Sequence, residues 1–137
     1  MFKAVWSIGR DGFEKIGSLR RAAGVSDACD SMDAYAGHVY VCEETGEPIA
    51  AGRMYPDGDA LIIDRIAVMP QYDAMPYAEL VLRMLLFKAQ ELPQNDIRII
   101  CDESRFALVR RFGFIQSGAH TFTCSRDAIV WDSECRH

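Results

Sequence analysis

Asp64 and His38 are the side chains in this sequence that are best suited to moving a proton. Asp64 lies within the apolar run 60–68, and burial among aliphatic residues suits a carboxylate to the role of general base. The alternative for Asp64 is a salt bridge with Arg53 or Arg65. His38 titrates in the range that a base requires, and a structural, hydrogen-bonded histidine is the other interpretation. Both residues are therefore candidate catalytic residues.

The turn after this apolar run, VMPQYDAMPYAEL over residues 68–80, joins a strand pattern to a helix pattern. The first turn of a helix offers free N–H groups and a favourable dipole to an anion such as a phosphate. This turn lacks glycine, however, and it contains Asp73 and Pro76. Asp73 can cap the helix and Pro76 can start it, so a plain helix start without a ligand is the alternative interpretation.

Alternating strand and helix patterns must position these residues. The periodicity predicts strands at 2–7, 38–42, 49–54, 60–68, 97–102, 114–117 and 120–124, with 128–131 as a continuation of the last strand. It predicts helices at 12–23, 26–35, 76–91 and 104–112. This order predicts an antiparallel meander followed by a parallel strand pair. The predicted fold class is therefore α/β (α+β), with a mixed, mostly antiparallel twisted sheet, helices on both faces, and one domain over residues 1–137.

The composition excludes several classes of protein. The net charge is −5 and the pI is about 5.1, which argues against binding of nucleic acid. The five cysteines are odd in number and never spaced C-x-x-C, so we expect reduced thiols in a cytoplasm and no metal site. The N-terminus has no apolar segment typical of a signal peptide. Arg83 and Lys88 interrupt the best apolar helix, so we expect no membrane span.

Local motifs in this order and at these separations resemble the GNAT superfamily, the acyl-CoA N-acyltransferases, over roughly residues 2–125. The motifs that carry the resemblance are Leu19-Arg20, the DSMDAYAGH run at 30–38, IAAGRM at 49–54, IDRIAVMP at 63–70, and FGF at 112–114. The resemblance implies a central strand that separates from its parallel neighbour, with acyl-CoA lying in the gap between them.

The same resemblance implies which residues bind acetyl-CoA or CoA as cosubstrate. The thioester and pantetheine would bond to the backbone of Ile66, Ala67 and Val68. The pyrophosphate would lie at Asp73, Ala74, Met75, Pro76, Tyr77 and Ala78, of which only Ala78 fits the family's R/Q-x-x-G-x-G/A pattern. Asp102 stands where the family has an asparagine. Arg105 begins the helix that lines the CoA side, although a solvated surface arginine is the alternative.

The residue that acts as general acid in many members of the family has no counterpart at the matching position of this sequence. Many relatives use a tyrosine four residues before the last motif's glycine, and this sequence has Val109 there, which can donate no proton. Tyr55 and Tyr72 are candidate hydroxyl groups near the implied gap. Cys101 is interpreted as a small buried hydrophobe rather than as a nucleophile.

Three functions are consistent with these residues. The first is an N-acetyltransferase that moves an acyl group from acetyl-CoA, or another acyl-CoA, to a primary amine of a small molecule or a protein. The second is a catalytically inactive GNAT-like binding or regulatory module, which the altered turn and the missing tyrosine favour. The third is a homodimer partner that pairs through an exposed sheet edge.

Overall fold

The computed structural model describes residues 3–8, 13–24, 33 and 35–131. The strands are β1 (Lys3–Ile8), β2 (Gly37–Cys42), β3 (Pro48–Asp57), β4 (Ala60–Val68), β5 (Asp96–Ile100), β6 (Ile115–Gln116) and β7 (Thr121–Ser125). The helices are α1 (Phe13–Ala22), α2 (Tyr77–Ala89) and α3 (Phe106–Arg111). No helix within these ranges is long and apolar enough to cross a membrane.

The strands form one seven-stranded sheet in the order β1-β2-β3-β4-β5-β7-β6. All neighbouring strands are antiparallel except β4 and β5, which are parallel. Helix α2 connects these two parallel strands, because a parallel pair needs a long crossover between its ends. The predicted fold class, a mixed and mostly antiparallel sheet with one parallel pair, is confirmed.

Helices cover both faces of the sheet centre. Successive residues of a strand point to opposite faces, and Ala50 and Ala51 of β3 show this directly. Ala50 belongs to the cluster that contains Val81 and Leu85 of α2, whereas Ala51 packs with Leu19 of α1. The continuous apolar pattern of the central strands follows from this burial on both sides.

Gly52 on β3 lets α2 lie close to the sheet. A Cβ atom at this position would come within 2.7 Å of Val81 Cγ1 and 2.9 Å of Leu85 Cδ1. Both leucine and valine side chains are fully buried, so they have little room to move away. A glycine is therefore required where the helix crosses the strand.

Strands β4 and β5 separate halfway along β4. Their pairing runs from Ala60 opposite Asp96 to Ile63 opposite Ile99 and then stops. Two residues later Arg65 has a positive φ of 54°, and the register with β3 shifts at the same level. Such a bulge bends a strand and increases its twist. The second half of β4 therefore leaves β5, as expected for a splayed parallel pair.

The structure corrects several predicted boundaries. The strand predicted at 128–131 is wrong, because Arg126–Ala128 forms a 3-10 turn and Val130 N–H then bonds to the carbonyl of Phe112 at 2.9 Å. The last helix is shorter than 104–112, since Glu103–Arg105 is a 3-10 turn that precedes α3. Helix α2 begins one residue after Pro76. The helix predicted at 26–35 lies almost wholly outside the described residues.

Candidate active site

A cleft opens where β4 leaves β5. Its larger part has a volume of about 400 Å³ and lies between Asp64 and Ile66 on one wall and Asp102 and His120 on the other. A second hollow of about 170 Å³ continues past Ile66 to Asp73. Because the two hollows share Ile66, Asp102 and Arg105, they form one elongated groove, called the β4–β5 cleft below.

The backbone of Ile66, Ala67 and Val68, which is predicted to bind pantetheine, forms one wall of this cleft. On its other side this segment pairs with β3, where Ala67 lies opposite Ala51 and Val68 opposite Ala50. Among the strands that the structure describes, none pairs with β4 on the cleft side beyond Ile63. Backbone N–H and C=O groups on that edge are therefore available to an extended ligand, as they are on any open strand edge.

The predicted pyrophosphate turn ends at the N-terminus of α2. Pro76 is the N-cap with φ of −81°, so it removes the N–H of the cap and not one from the first helical turn. No side chain in the described structure caps this end. The N–H groups of Tyr77 and Ala78 have no partners within the helix. This turn therefore follows the cleft residues Pro70 and Asp73 with a helix N-terminus that no described side chain caps, although it has no glycine.

Asp73 pairs with Arg105 instead of capping α2. Arg105 Nη2 donates to Asp73 Oδ1 at 3.0 Å, and the two side chains are 19% and 57% exposed, respectively. The prediction that Asp73 caps the helix is wrong, because the cap position falls three residues later at Pro76. An exposed ion pair of this kind contributes at most about 1 kcal/mol. A phosphate can therefore compete with Asp73 for Arg105, which also lines both parts of the cleft.

Asp64 takes part in a buried charge cluster with Arg53, Asp33 and Arg20. Arg53 Nε and Nη2 donate to the two Asp64 carboxylate oxygens, each at 2.8 Å. Arg53 Nη1 also reaches Asp33 at 3.3 Å, and Arg20 Nη1 donates to the same Asp33 at 2.8 Å. The salt bridge with Arg53, one of the two interpretations of Asp64, is thus present. The cluster ties α1 to β3 and to the wall of the cleft.

His38 lies behind this cluster and not in the cleft. Its side chain is fully buried, and Nε2 is 3.1 Å from the carbonyl oxygen of Asp33. Since a carbonyl only accepts, Nε2–H donates to it. Burial lowers the pKa of His38 below its ordinary value, and the positive charges of Arg20 and Arg53 act in the same direction, against the hydrogen bond and charge of Asp33. This surrounding favours a neutral, structural imidazole.

Stability should therefore fall at mildly acidic pH. Because the pKa of His38 is lower in the folded protein, the unfolded chain binds more protons below pH ~6.5. The His38 contribution is present above that pH and is lost as the pH falls toward the folded pKa, by at most about 1.4 kcal/mol per pH unit. Urea unfolding at neutral and mildly acidic pH measures it. His38→Gln should flatten this part of the profile, and an unchanged slope would contradict the assignment.

The other wall of the cleft carries Cys101, Asp102 and His120. Burial, followed by the charge of Asp102, raises the pKa of the Cys101 thiol to about 11 despite the opposing charge of Arg105. Cys101 is therefore a neutral thiol and a poor nucleophile near neutral pH. Asp102 accepts a hydrogen bond from Ser104 Oγ at 2.5 Å. Asp102 lines both parts of the cleft.

Sequence reasoning missed His120. The residue directly precedes β7, and its Nδ1 lies 3.1 Å from the carbonyl oxygen of Cys101. The available signal was a histidine at the start of the strand predicted at 120–124. The two candidate tyrosines do not line the cleft: Tyr72 donates to Glu43, and Tyr55 lies against the Arg53 guanidinium. The Glu43 carboxylate raises the pKa of the Tyr72 hydroxyl through this hydrogen bond.

Comparison with known proteins identifies the family. The sequence matches the model of the acetyltransferase (GNAT) family over residues 7–114, so the chain belongs to this family. A search of curated proteins gave no match. Within the described residues, no group of three or more His, Cys, Asp or Glu side chains is arranged to hold a metal ion.

Solved structures share the fold at low sequence identity. An acyl-CoA N-acyltransferase from Pseudomonas aeruginosa has a TM-score of 0.77 and 12% identity, over 90% of this chain and 97% of that one. A Staphylococcus aureus protein has a TM-score of 0.73 and 24% identity, over 87% and 93%. The PaiA N-acetyltransferase of Thermoplasma acidophilum, solved with coenzyme A, has a TM-score of 0.68 and 8% identity, over 90% and 96%.

Proposed function

We propose that this protein is an acyl-CoA-dependent N-acyltransferase that uses the β4–β5 cleft to bind acetyl-CoA or a related acyl-CoA. The acceptor would be a primary amine of a small molecule or a protein. The observation that carries the proposal is the open edge of β4 from Asp64 to Val68, which leads from the bulge at Arg65 to the N-terminus of α2. A pantetheine chain has amide groups that suit such an edge.

The residues of the cleft suit the different parts of the cosubstrate. The backbone of Ile66 to Val68 would bond to pantetheine, and the N–H groups of Tyr77 and Ala78 would face the pyrophosphate. Arg105 would supply a positive charge to the same phosphate groups. Asp73, Ala74, Met75 and Pro76 shape this turn. The thioester would then lie in the larger part of the cleft, near Asp64 and Asp102.

This assignment gives Asp64 and His38 supporting roles. Asp64 has both oxygens engaged by Arg53, and His38 does not reach the cleft. We infer that both residues hold β2, β3 and β4 in place around the site. The reaction would take place in the cytoplasm, where acyl-CoA is available and where thiols such as Cys42, Cys101 and Cys124 stay reduced.

A binding or regulatory module is the second candidate function. Val109 is fully buried where many relatives have a tyrosine acid, and Asp73 places a carboxylate beside the proposed phosphate site. Both features agree with a protein that binds a ligand in the cleft without transferring an acyl group. The two candidates share a binding step and differ in turnover.

Thermal unfolding with and without ligand tests the binding step. Acetyl-CoA at about 100 times its Kd should stabilise the protein by about 2.7 kcal/mol, which corresponds to a rise in Tm of about 8 °C. ATP at the same concentration is the control for nonspecific binding of a nucleotide. No shift at millimolar acetyl-CoA or CoA would contradict the acyltransferase. A shift without thioester consumption over a panel of primary amines would favour the binding module.

A further inference from the structure

His120 places an imidazole side chain in the larger part of the β4–β5 cleft. It lies on the wall opposite Asp64 and Ile66, and its side chain is exposed to the cleft. Val109, by contrast, is a buried aliphatic residue and Cys101 holds its proton near neutral pH. The charged groups around the same hollow are Asp64, Arg65, Asp102 and Arg105.

The hydrogen bond at Nδ1 fixes the tautomer of His120. Nδ1 is 3.1 Å from the carbonyl oxygen of Cys101, and a carbonyl oxygen can only accept a hydrogen bond. The hydrogen of a neutral ring is therefore on Nδ1, and Nε2 carries a lone pair. In the part of the chain that the structure describes, no hydrogen bond to Nε2 is present.

Neighbouring groups hold the ring in this orientation. Cys101 N–H donates to the carbonyl of His120 at 3.0 Å, so the two residues are joined by their backbone as well as by the ring. The edge of the ring also meets Phe106, with ring centroids 5.9 Å apart. A histidine that is oriented through one nitrogen and open at the other has the arrangement of a general base.

We infer that His120 is the general base of the reaction and returns the proton to the leaving group. This inference rests on the proposed acyl transfer. Nε2 takes a proton from the acceptor ammonium, and the freed amine nitrogen attacks the thioester carbonyl carbon. The C–N bond forms as the C–S bond breaks, and the sulfur leaves as a thiolate. The imidazolium gives its proton to this thiolate, and the new amide nitrogen loses its extra proton to water.

His120→Gln tests the role of the ring in turnover. Because positioned acid–base groups contribute about 100-fold or more, we expect kcat for acetyl-CoA with a panel of primary amines to fall by at least that factor. The Kd for CoA, measured by calorimetry, should stay within about twofold of the wild-type value, since the base does not hold the cosubstrate. Added imidazole should restore part of the turnover. Ser117→Ala, on the exposed end of the same hairpin, should leave both values unchanged.

The possible outcomes separate this inference from the proposed function. Failure of the wild-type protein to bind acetyl-CoA or to use any amine counts against the acyltransferase. If the wild-type protein is active and His120→Gln has the same kcat, the role of His120 is overturned and the proposed acyltransferase function stands.

The tautomer can be measured without an acceptor. In a long-range ¹H–¹⁵N spectrum at alkaline pH, the ring signals that disappear in His120→Gln should show hydrogen on Nδ1 and a lone pair on Nε2, and Nε2 should shift when acetyl-CoA is added. A ring with hydrogen on Nε2, or one that does not respond to acetyl-CoA binding, would overturn the inference.

Discussion

Asp33→Ala is expected to lower the free energy of unfolding by about 3–5 kcal/mol. Asp33 is fully buried and accepts hydrogen bonds from both Arg20 and Arg53, which are only 1% and 2% exposed. Removing its carboxylate takes away the negative charge that these two buried guanidinium groups share. Asp64 still pairs with Arg53, but it does not neutralise Arg20.

Urea unfolding of the wild-type protein and the variant measures this loss. Asp127→Ala is a matched control, because Asp127 is an exposed aspartate in the 3-10 turn after β7. We expect the control to change stability by at most about 0.5 kcal/mol. A loss of less than about 1 kcal/mol in Asp33→Ala would mean that the charge cluster is not held together through this residue.

The second large effect concerns the ion pair between Arg105 and Asp73, whose two partners should act in opposite directions on CoA binding. Arg105→Ala removes a charge-assisted contact worth about 1.5–3 kcal/mol and should weaken binding by about 10–100-fold. Asp73→Asn removes the carboxylate that competes with phosphate for Arg105, and should tighten binding by about 2–5-fold.

Calorimetric titration with CoA measures both changes. Arg98→Gln is the control for net charge, since Arg98 is an exposed arginine on β5 that does not line the cleft. It should alter the Kd by about twofold or less at physiological salt. Equal weakening by Arg105→Ala and Asp73→Asn would show that the ion pair is needed intact and that it does not compete with the ligand.

The central strands could be predicted from sequence because burial on both faces leaves a continuous apolar run. The prediction for 60–68 matches β4 in full, and the family's motifs indicated its separation from β5. The strand predicted at 128–131 was wrong, although it also rested on apolar residues. The apolar residues at 129 and 131 suggest a strand, but Val130 bonds to the end of α3 rather than to the sheet.

The candidate site was predicted less completely, because its contacts join residues far apart in the chain. The open edge of β4 followed from the resemblance, and the salt bridge of Asp64 with Arg53 was one of two stated alternatives. The pairing of Asp73 with Arg105 across the cleft has no local signal. The orientation of His120 depends on the carbonyl of Cys101, which is visible only once β5 and β7 are side by side.

The most direct test of the proposed site is an amide NMR titration of the protein with CoA. If CoA lies in the β4–β5 cleft, the largest shifts should be at the amides of Ile66, Val68 and Ala78. The amides of Gly58 and Asp96, which line a separate hollow at the opposite end of the β4–β5 pair, should change little. Shifts confined to Gly58 and Asp96, with none along the open edge of β4, would contradict the proposal.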